Sequence, residues 1–168
     1  MNLRQKAWEF AQKKHANQNR VGGGPYAVHP YVVALFLVAR GHEDDELIAA
    51  AYLHDTIEDT DTTFEELEKE FGLKVARIVQ ELTCKREEGE THKAKTIRMA
   101  DGLAHASDEA KLIKLADRLH NLKTIDAFPE WKQERYRNST FYLLERIGGV
   151  DFELHKAILK EIGKGKVL

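Results

Sequence analysis

Apolar residues return at three- and four-residue steps through most of this chain, the signature of helices that bury one face. Between residues 3 and 15 the apolar set is Ala7, Trp8, Phe10 and Ala11, which predicts a first helix reaching about Asn17. Residues 31–39 are apolar almost throughout and predict a buried helix. Pro30 opens it at a first-turn position, where proline's missing amide proton does no harm, and Gly41 ends it. The run Leu47-Ile48-Ala49-Ala50-Ala51-Tyr52-Leu53 predicts a second, tightly packed one. Thr62 and Thr63 precede Glu65 and Glu66 at capping-box spacing, so a new helix runs through Leu67 towards Phe71 and closes at Gly72. Val75, Ile78, Val79 and Leu82 continue the pattern, and residues 85–90 break it. Leu112, Leu115, Ala116, Leu119 and Leu122 then form one core stripe, and two last helices follow Pro129, parted by Gly148-Gly149. Without strand pairs, internal repeats or low-complexity tracts, the pattern predicts an all-α fold in a single domain, residues 1–168.

Charge narrows the partners. Lys plus Arg total 26 against 28 for Asp plus Glu, a formal net charge of -2 that argues against bulk attraction to nucleic acid or an anionic membrane. The longest apolar run, residues 31–39, is about half of the roughly 18–20 residues a membrane span needs. The single Cys84 has no disulfide partner, which suits a reducing cytoplasm, and no signal-peptide pattern precedes the charged amino terminus. Cys84 reads as a small buried hydrophobe. The expectation is a soluble cytoplasmic protein whose oligomeric state the sequence leaves open.

The candidate chemistry lies at one place. His54-Asp55-Thr56-Ile57-Glu58-Asp59 sets one imidazole and three carboxylates directly behind the apolar run 47–53, where charges must be paired. Such a cluster calls for a metal ion, yet a cation takes four to six ligands, so further ligands must come from elsewhere. His29, at the entry to the buried helix, is either one of them or a hydrogen-bonded structural residue. Asp117, Asn121 and Thr124 recur at steps of four and three, within about 60° of one another on a helix. Flanked by Ile113 and Ile125, that stripe is either solvated or the lining of a pocket, in which case Asp117 is the missing carboxylate. The acidic run 43–46 reads instead as a helix amino terminus. The loop Arg20-Val21-Gly22-Gly23-Gly24-Pro25-Tyr26 is a connector or a close approach to phosphate, and the cationic group His92, Lys93, Lys95 and Arg98 is a solvated face or an anion-facing patch.

Three blocks, taken together and in order, carry a family resemblance: Pro25-Tyr26-Ala27-Val28-His29-Pro30, Leu53-His54-Asp55-Thr56-Ile57-Glu58-Asp59-Thr60, and Lys114-Leu115-Ala116-Asp117-Arg118-Leu119-His120-Asn121. The chain resembles the HD-domain alarmone hydrolases, that is, the hydrolase domain of RelA/SpoT-type enzymes and the small stand-alone hydrolases of the metazoan SpoT-homologue type. The resemblance implies an HD-domain helical bundle. It also implies His29, His54, Asp55 and Asp117 as ligands of one divalent metal, in this family usually manganese. Mixed nitrogen and oxygen ligands are compatible with iron or zinc as well. Glu58 and Asp59 match the catalytic pair that orients and deprotonates a metal-activated water. The implied reaction removes the 3′-pyrophosphate of ppGpp or pppGpp, giving GDP or GTP and pyrophosphate. Arg20, Asn121 and Thr124 match nucleoside-contacting positions, and Lys93, Lys95, Arg98 and Arg135 are weaker candidates for the phosphates. The chain departs from the pattern at Val21, where the family often has lysine, and near Ser139, where an aromatic residue is replaced and Tyr136 or Tyr142 stands nearby. Alternatives are hydrolysis of another phosphate ester, such as a nucleoside monophosphate or the 2′-phosphate of NADPH, and a catalytically silent nucleotide sensor.

Overall fold

The computed structural model describes residues 2–165, and among these it is all-α: ten helices, two 3₁₀ turns and one isolated bridge between Asn19 and Pro25. Backbone packing divides the chain into two compact units, Met1–Lys85 and Arg86–Leu168.

The first unit holds α1 (Leu3–Lys14), α2 (Val28–Val38), α3 (Asp45–Leu53), the single turn α4 (Thr56–Asp59), α5 (Phe64–Phe71) and α6 (Leu73–Leu82). Its centre is α3, on which α1, α2 and α6 all pack. Ala49, Ala50 and Ala51 have no solvent exposure, and their small side chains let neighbouring helices approach from several sides. Enlarging one of them would overpack the unit by about 1–3 kcal/mol. The acidic run before α3 caps it. Asp44 accepts a hydrogen bond from the Leu47 amide at 2.8 Å, and Asp45 and Glu46 stand in the first turn, where the helix dipole favours them. Thr63 caps α5 in the same way, accepting from the Glu66 amide. Between α5 and α6 the chain turns at Gly72 with φ +87°, a backbone conformation that glycine reaches without strain.

The second unit holds α7 (His92–Ala104), α8 (Asp108–Lys123), α9 (Glu130–Ile147) and α10 (Phe152–Ile162), with 3₁₀ turns at Ile125–Ala127 and Gly148–Val150. Here α8 is the buried element, its Leu112, Ile113, Leu115, Ala116, Leu119 and Leu122 facing α10 and α9, while α7 packs on α9. Arg118 is itself buried: its guanidinium donates to the hydroxyls of Ser139 and Thr140 on α9 and lies 4.6 Å from the Tyr136 ring centroid.

Two boundaries differ from the pattern. The first helix stops at Lys14 rather than near Asn17, because the chain turns at His15 to enter the glycine loop. The second begins at Val28, so Pro30 and His29 lie within its first turn. No helix among the described residues is long and apolar enough to cross a membrane. The sequence leads one to expect fraying in the tail Lys164-Gly165-Lys166, of which Lys166 lies outside the described residues.

Candidate metal centre

The end of α3 is where packing turns into chemistry. Leu53 is fully buried, His54 caps the helix, and Asp55 adopts φ −99° and ψ −4°, so the chain breaks for two residues before α4 begins. The break is stable because Thr56, also fully buried, donates its hydroxyl to the Leu53 carbonyl at 2.7 Å, replacing a helical bond that the turn forfeits. His54 and Asp55 are thereby delivered from a rigid element.

His29 reaches the same point from the first turn of α2. Its Nε2 lies 3.5 Å from Asp55 Oδ2, the His54 Nε2 lies 3.1 Å from that oxygen, and the two imidazole centroids are 5.1 Å apart. One ligand atom from each of the three residues falls within 4.8 Å of the others. The His54 Nδ1 stands 2.9 Å from the Ala51 carbonyl, which only accepts, so Nδ1 carries the proton. With that proton on Nδ1, Nε2 is the nitrogen presented to the Asp55 carboxylate and the one that would ligate a shared cation. Adjacent ligands around a cation with bonds of about 2.1 Å stand roughly 3–3.5 Å apart, which the observed spacings match. These three residues fit a divalent metal.

The acidic pair flanks this group on α4. Glu58 Oε2 accepts from the Cys84 amide at 3.0 Å, so Cys84 serves through its backbone and its thiol stays buried. Crowding by its neighbours partly desolvates the Asp59 carboxyl, on a residue that stays exposed, and pushes it above the usual carboxylate range. The charges of Asp55 and Glu58 push in the same direction, and a hydrogen bond from Tyr26 pulls back. The Tyr26 hydroxyl donates to Asp55 Oδ2 at 2.6 Å and lies 3.2 Å from Asp59 Oδ2, spanning both carboxylates. Tyr26 went unassigned in the sequence, although its place three residues before His29 puts it one turn from a ligand candidate.

Other candidate residues form local groups of their own. Arg20 belongs to the loop that carries Tyr26, where its amide donates to the Gly24 carbonyl at 3.0 Å. Asp117, buried on α8, accepts from the Lys114 ammonium at 3.0 Å and from the Asn121 amide at 2.5 Å, so two residues of the polar stripe bond each other. Thr124 ends α8 and donates back to the His120 carbonyl. In the second unit a cavity of about 310 Å³ is lined by residues of α7 and α9, among them His92, Lys93, Arg135, Ser139 and Tyr142. Tyr142 is the aromatic residue beside Ser139 in this lining, and Lys95 is on the same helix but outside it. Burial lowers the pKa of His92, and the cations Arg135, Arg86, Arg118 and Lys95 lower it further, so the cavity's imidazole takes up a proton less readily than a free one.

The HD domain family matches residues 7–147, a stretch that runs through both units. Over 132 residues the chain is 48% identical to the guanosine-3′,5′-bis(diphosphate) 3′-pyrophosphohydrolase MESH1 of Danio rerio, covering 75% of this chain and 72% of that protein. It is 42% identical over 142 residues to the guanosine-3′,5′-bis(diphosphate) 3′-pyrophosphohydrolase of Aquifex aeolicus, covering 81% of this chain but 20% of that longer protein. A solved structure of a metazoan orthologue of SpoT, described as hydrolysing ppGpp, matches the fold with a TM-score of 0.90 at 27% identity, covering 100% of this chain and 98% of that one.

Proposed function

This chain belongs to the HD-domain family, and from that premise we propose that it is a metal-dependent hydrolase of guanosine alarmones, converting ppGpp or pppGpp to GDP or GTP and pyrophosphate. The observation that carries the reading is the convergence of His29, His54 and Asp55 beside two further carboxylates. His29, His54 and Asp55 would hold one divalent cation, which we take to be manganese, and the family resemblance would add Asp117 as a fourth ligand. When bound, such a cation makes a water acidic enough to ionise near neutral pH and polarises a phosphoryl oxygen.

The protein's own residues supply the remainder. Glu58 and Asp59 orient the attacking water and accept its proton. The water oxygen bonds to the phosphorus attached at the 3′ oxygen, the O3′–P bond breaks, and the nucleoside oxygen leaves with a proton while pyrophosphate departs. The raised pKa of Asp59 suits a group that must take up a proton and give it back. Tyr26 steadies Asp55 and Asp59 in one frame. Arg20, Asn121 and Thr124 are assigned to the nucleoside and Lys93, Lys95 and Arg135 to the phosphates. The cationic cavity of α7 and α9 supports the phosphate assignment for Lys93 and Arg135. The two units act as one phosphohydrolase domain in the cytoplasm.

The test incubates metal-stripped protein with manganese and ppGpp and follows GDP and pyrophosphate by chromatography, beside an Asp55→Ala control. Release of both products that needs metal and Asp55 supports the reading; iron and zinc in parallel identify the preferred cation. Inertness towards ppGpp, with turnover of a nucleoside monophosphate or of NADPH in a substrate panel, would move the assignment to another phosphate ester. Tight binding with no turnover would make the chain a sensor.

A further inference from the structure

His15 is a buried histidine outside the metal centre. It stands at the end of α1, about 1% exposed, and its Nε2 has no hydrogen-bond partner among the described residues. Its other nitrogen is engaged: Nδ1 lies 2.8 Å from Gln18 Oε1. The Gln18 side chain in turn reaches the backbone carbonyl of Asp59, with Nε2 at 2.7 Å. A carbonyl only accepts, so the amide nitrogen of Gln18 must face Asp59 and its oxygen must face His15. His15 Nδ1 is then the donor, and the imidazole is locked in one tautomer. The Asp59 carbonyl closes a four-residue helix and belongs to the set that helix ends leave without partners.

The same loop grips Asp59 a second time. Tyr26 packs its ring on His15 at a centroid distance of 4.8 Å and carries its hydroxyl to the Asp59 carboxylate. Gln18 and Tyr26 are tied by a backbone hydrogen bond of 2.9 Å, and the chain between them turns through Gly23 and Gly24, both at positive φ. Asp59 is thus held at its main chain by Gln18 and at its side chain by Tyr26, with His15 against both. A side chain kept only to fill space would not leave a buried nitrogen without a partner, whereas leucine or phenylalanine fills the site without that cost.

We propose that His15 and Gln18 are positioning residues: the hydrogen-bonded chain His15–Gln18–Asp59 fixes α4 so that Asp59 meets the attacking water. This rests on the reading of Asp59 as a water-activating group. His15→Leu removes the donor, and Gln18→Met removes both of its hydrogen bonds without placing a new group in the core. His15→Asn returns an amide nitrogen to the place of Nδ1.

The expected result is a fall in kcat of about 10- to 100-fold for His15→Leu and for Gln18→Met, the scale of a small misplacement of a reacting group. KM should change by no more than about two-fold, since substrate binding is untouched. His15→Asn should recover most of the lost kcat. Wild-type kcat in both disruptive variants overturns the proposal, and so does an His15→Asn enzyme as impaired as His15→Leu, which would reduce His15 to packing. If His15→Leu does not fold, Gln18→Met carries the test. Nitrogen-edited spectra of the wild type supply a readout independent of substrate: a proton on His15 Nδ1 and a Gln18 side-chain amide protected from exchange. Both present in a protein inert towards ppGpp would mean that the substrate reading fails while the positioning role stands. An Nε2-protonated His15 with a freely exchanging Gln18 amide would overturn the role whatever the substrate.

Discussion

The two units concentrate opposite charges. In the first, Asp55, Glu58 and Asp59 crowd within two turns of chain, with the Tyr26 hydroxyl, the Cys84 amide and the imidazoles of His29 and His54 packed against them. In the second, His92, Lys93 and Arg135 share one cavity, with Arg86, Arg118 and Lys95 adding to the positive field at His92. Like charges gathered in this way oppose folding unless a ligand of the other sign offsets them. By charge the acidic group of the first unit suits a cation and the cavity of the second an anion, the pair of demands that the proposed metal-assisted hydrolysis of a polyphosphate makes.

Neutralising the acidic side should have the largest effect. Glu58→Gln and Asp59→Asn should each lower kcat by about 10²- to 10⁴-fold, the range for loss of a general base. Metal affinity, measured by titration of the stripped protein, should change little. Stability should move the other way. Asp59 has a folded-state pKa above its ordinary value of 3.8. Its folded form therefore binds the proton more tightly than the unfolded chain does, and ionisation costs stability as pH rises through the folded pKa. Metal-free Asp59→Asn should melt above the wild type at pH 7, and the gap should close as pH falls towards 3.8. A lower melting temperature for the variant at pH 7 would show that the carboxylates do not strain the unit.

On the basic side the expected effect is smaller and falls on binding. Arg135 lines the cavity, with its guanidinium 5.0 Å from the exposed Trp131 ring. Arg135→Ala should raise KM by about 10- to 100-fold, the worth of one charged hydrogen bond, with kcat much less affected. The same change removes a cation facing His92, whose pKa should move back up towards 6.5, as a histidine titration by NMR would show. A loss confined to kcat would instead place Arg135 at the reacting atoms.

How legible each unit was depended on whether its chemistry followed the helix period. The all-α fold, the acidic helix start at 43–46, the capping box at Thr63 and the stop at Gly72 followed from short-range rules, and the structure realises each locally. His54 and Asp55 were conspicuous because charge behind a buried run has few uses. His29 stood out through the family blocks, since one histidine at a helix entry is chemically ambiguous. Tyr26 and Gln18 were missed because their partners lie far along the chain: Gln18 is 41 residues from Asp59 and Tyr26 is 29 from Asp55, and His15, bonded to the nearby Gln18, gains its meaning only through that distant contact. No local period encodes such a contact. Cys84 shows the same limit, since it was read as a buried side chain while its backbone amide holds Glu58.

The smallest effect should come from the segment leading into α7. Arg98 grips Glu90 with two parallel hydrogen bonds, Nε to Oε1 at 2.8 Å and Nη2 to Oε2 at 2.9 Å, tying the end of the polar break 85–90 to the helix that bears His92 and Lys93. Those bonds pull the Glu90 pKa down from 4.5 to about 2, with the Glu87 amide assisting. Because the folded pKa is depressed, the stability this pair contributes is fully present above pH 4.5 and fades as pH falls from there through 2. Arg98→Gln should therefore lower the melting temperature slightly at pH 7, and the difference from wild type should shrink over that acid window. The Arg98 side of the pair is open to solvent, so salt screens it and the shift should weaken further in high salt. A pH-independent difference would mean that Arg98 acts through packing of its alkyl stem. In that case the segment before α7 would owe its position to apolar contact, and the cavity-lining His92 and Lys93 would keep their placement without an ion pair.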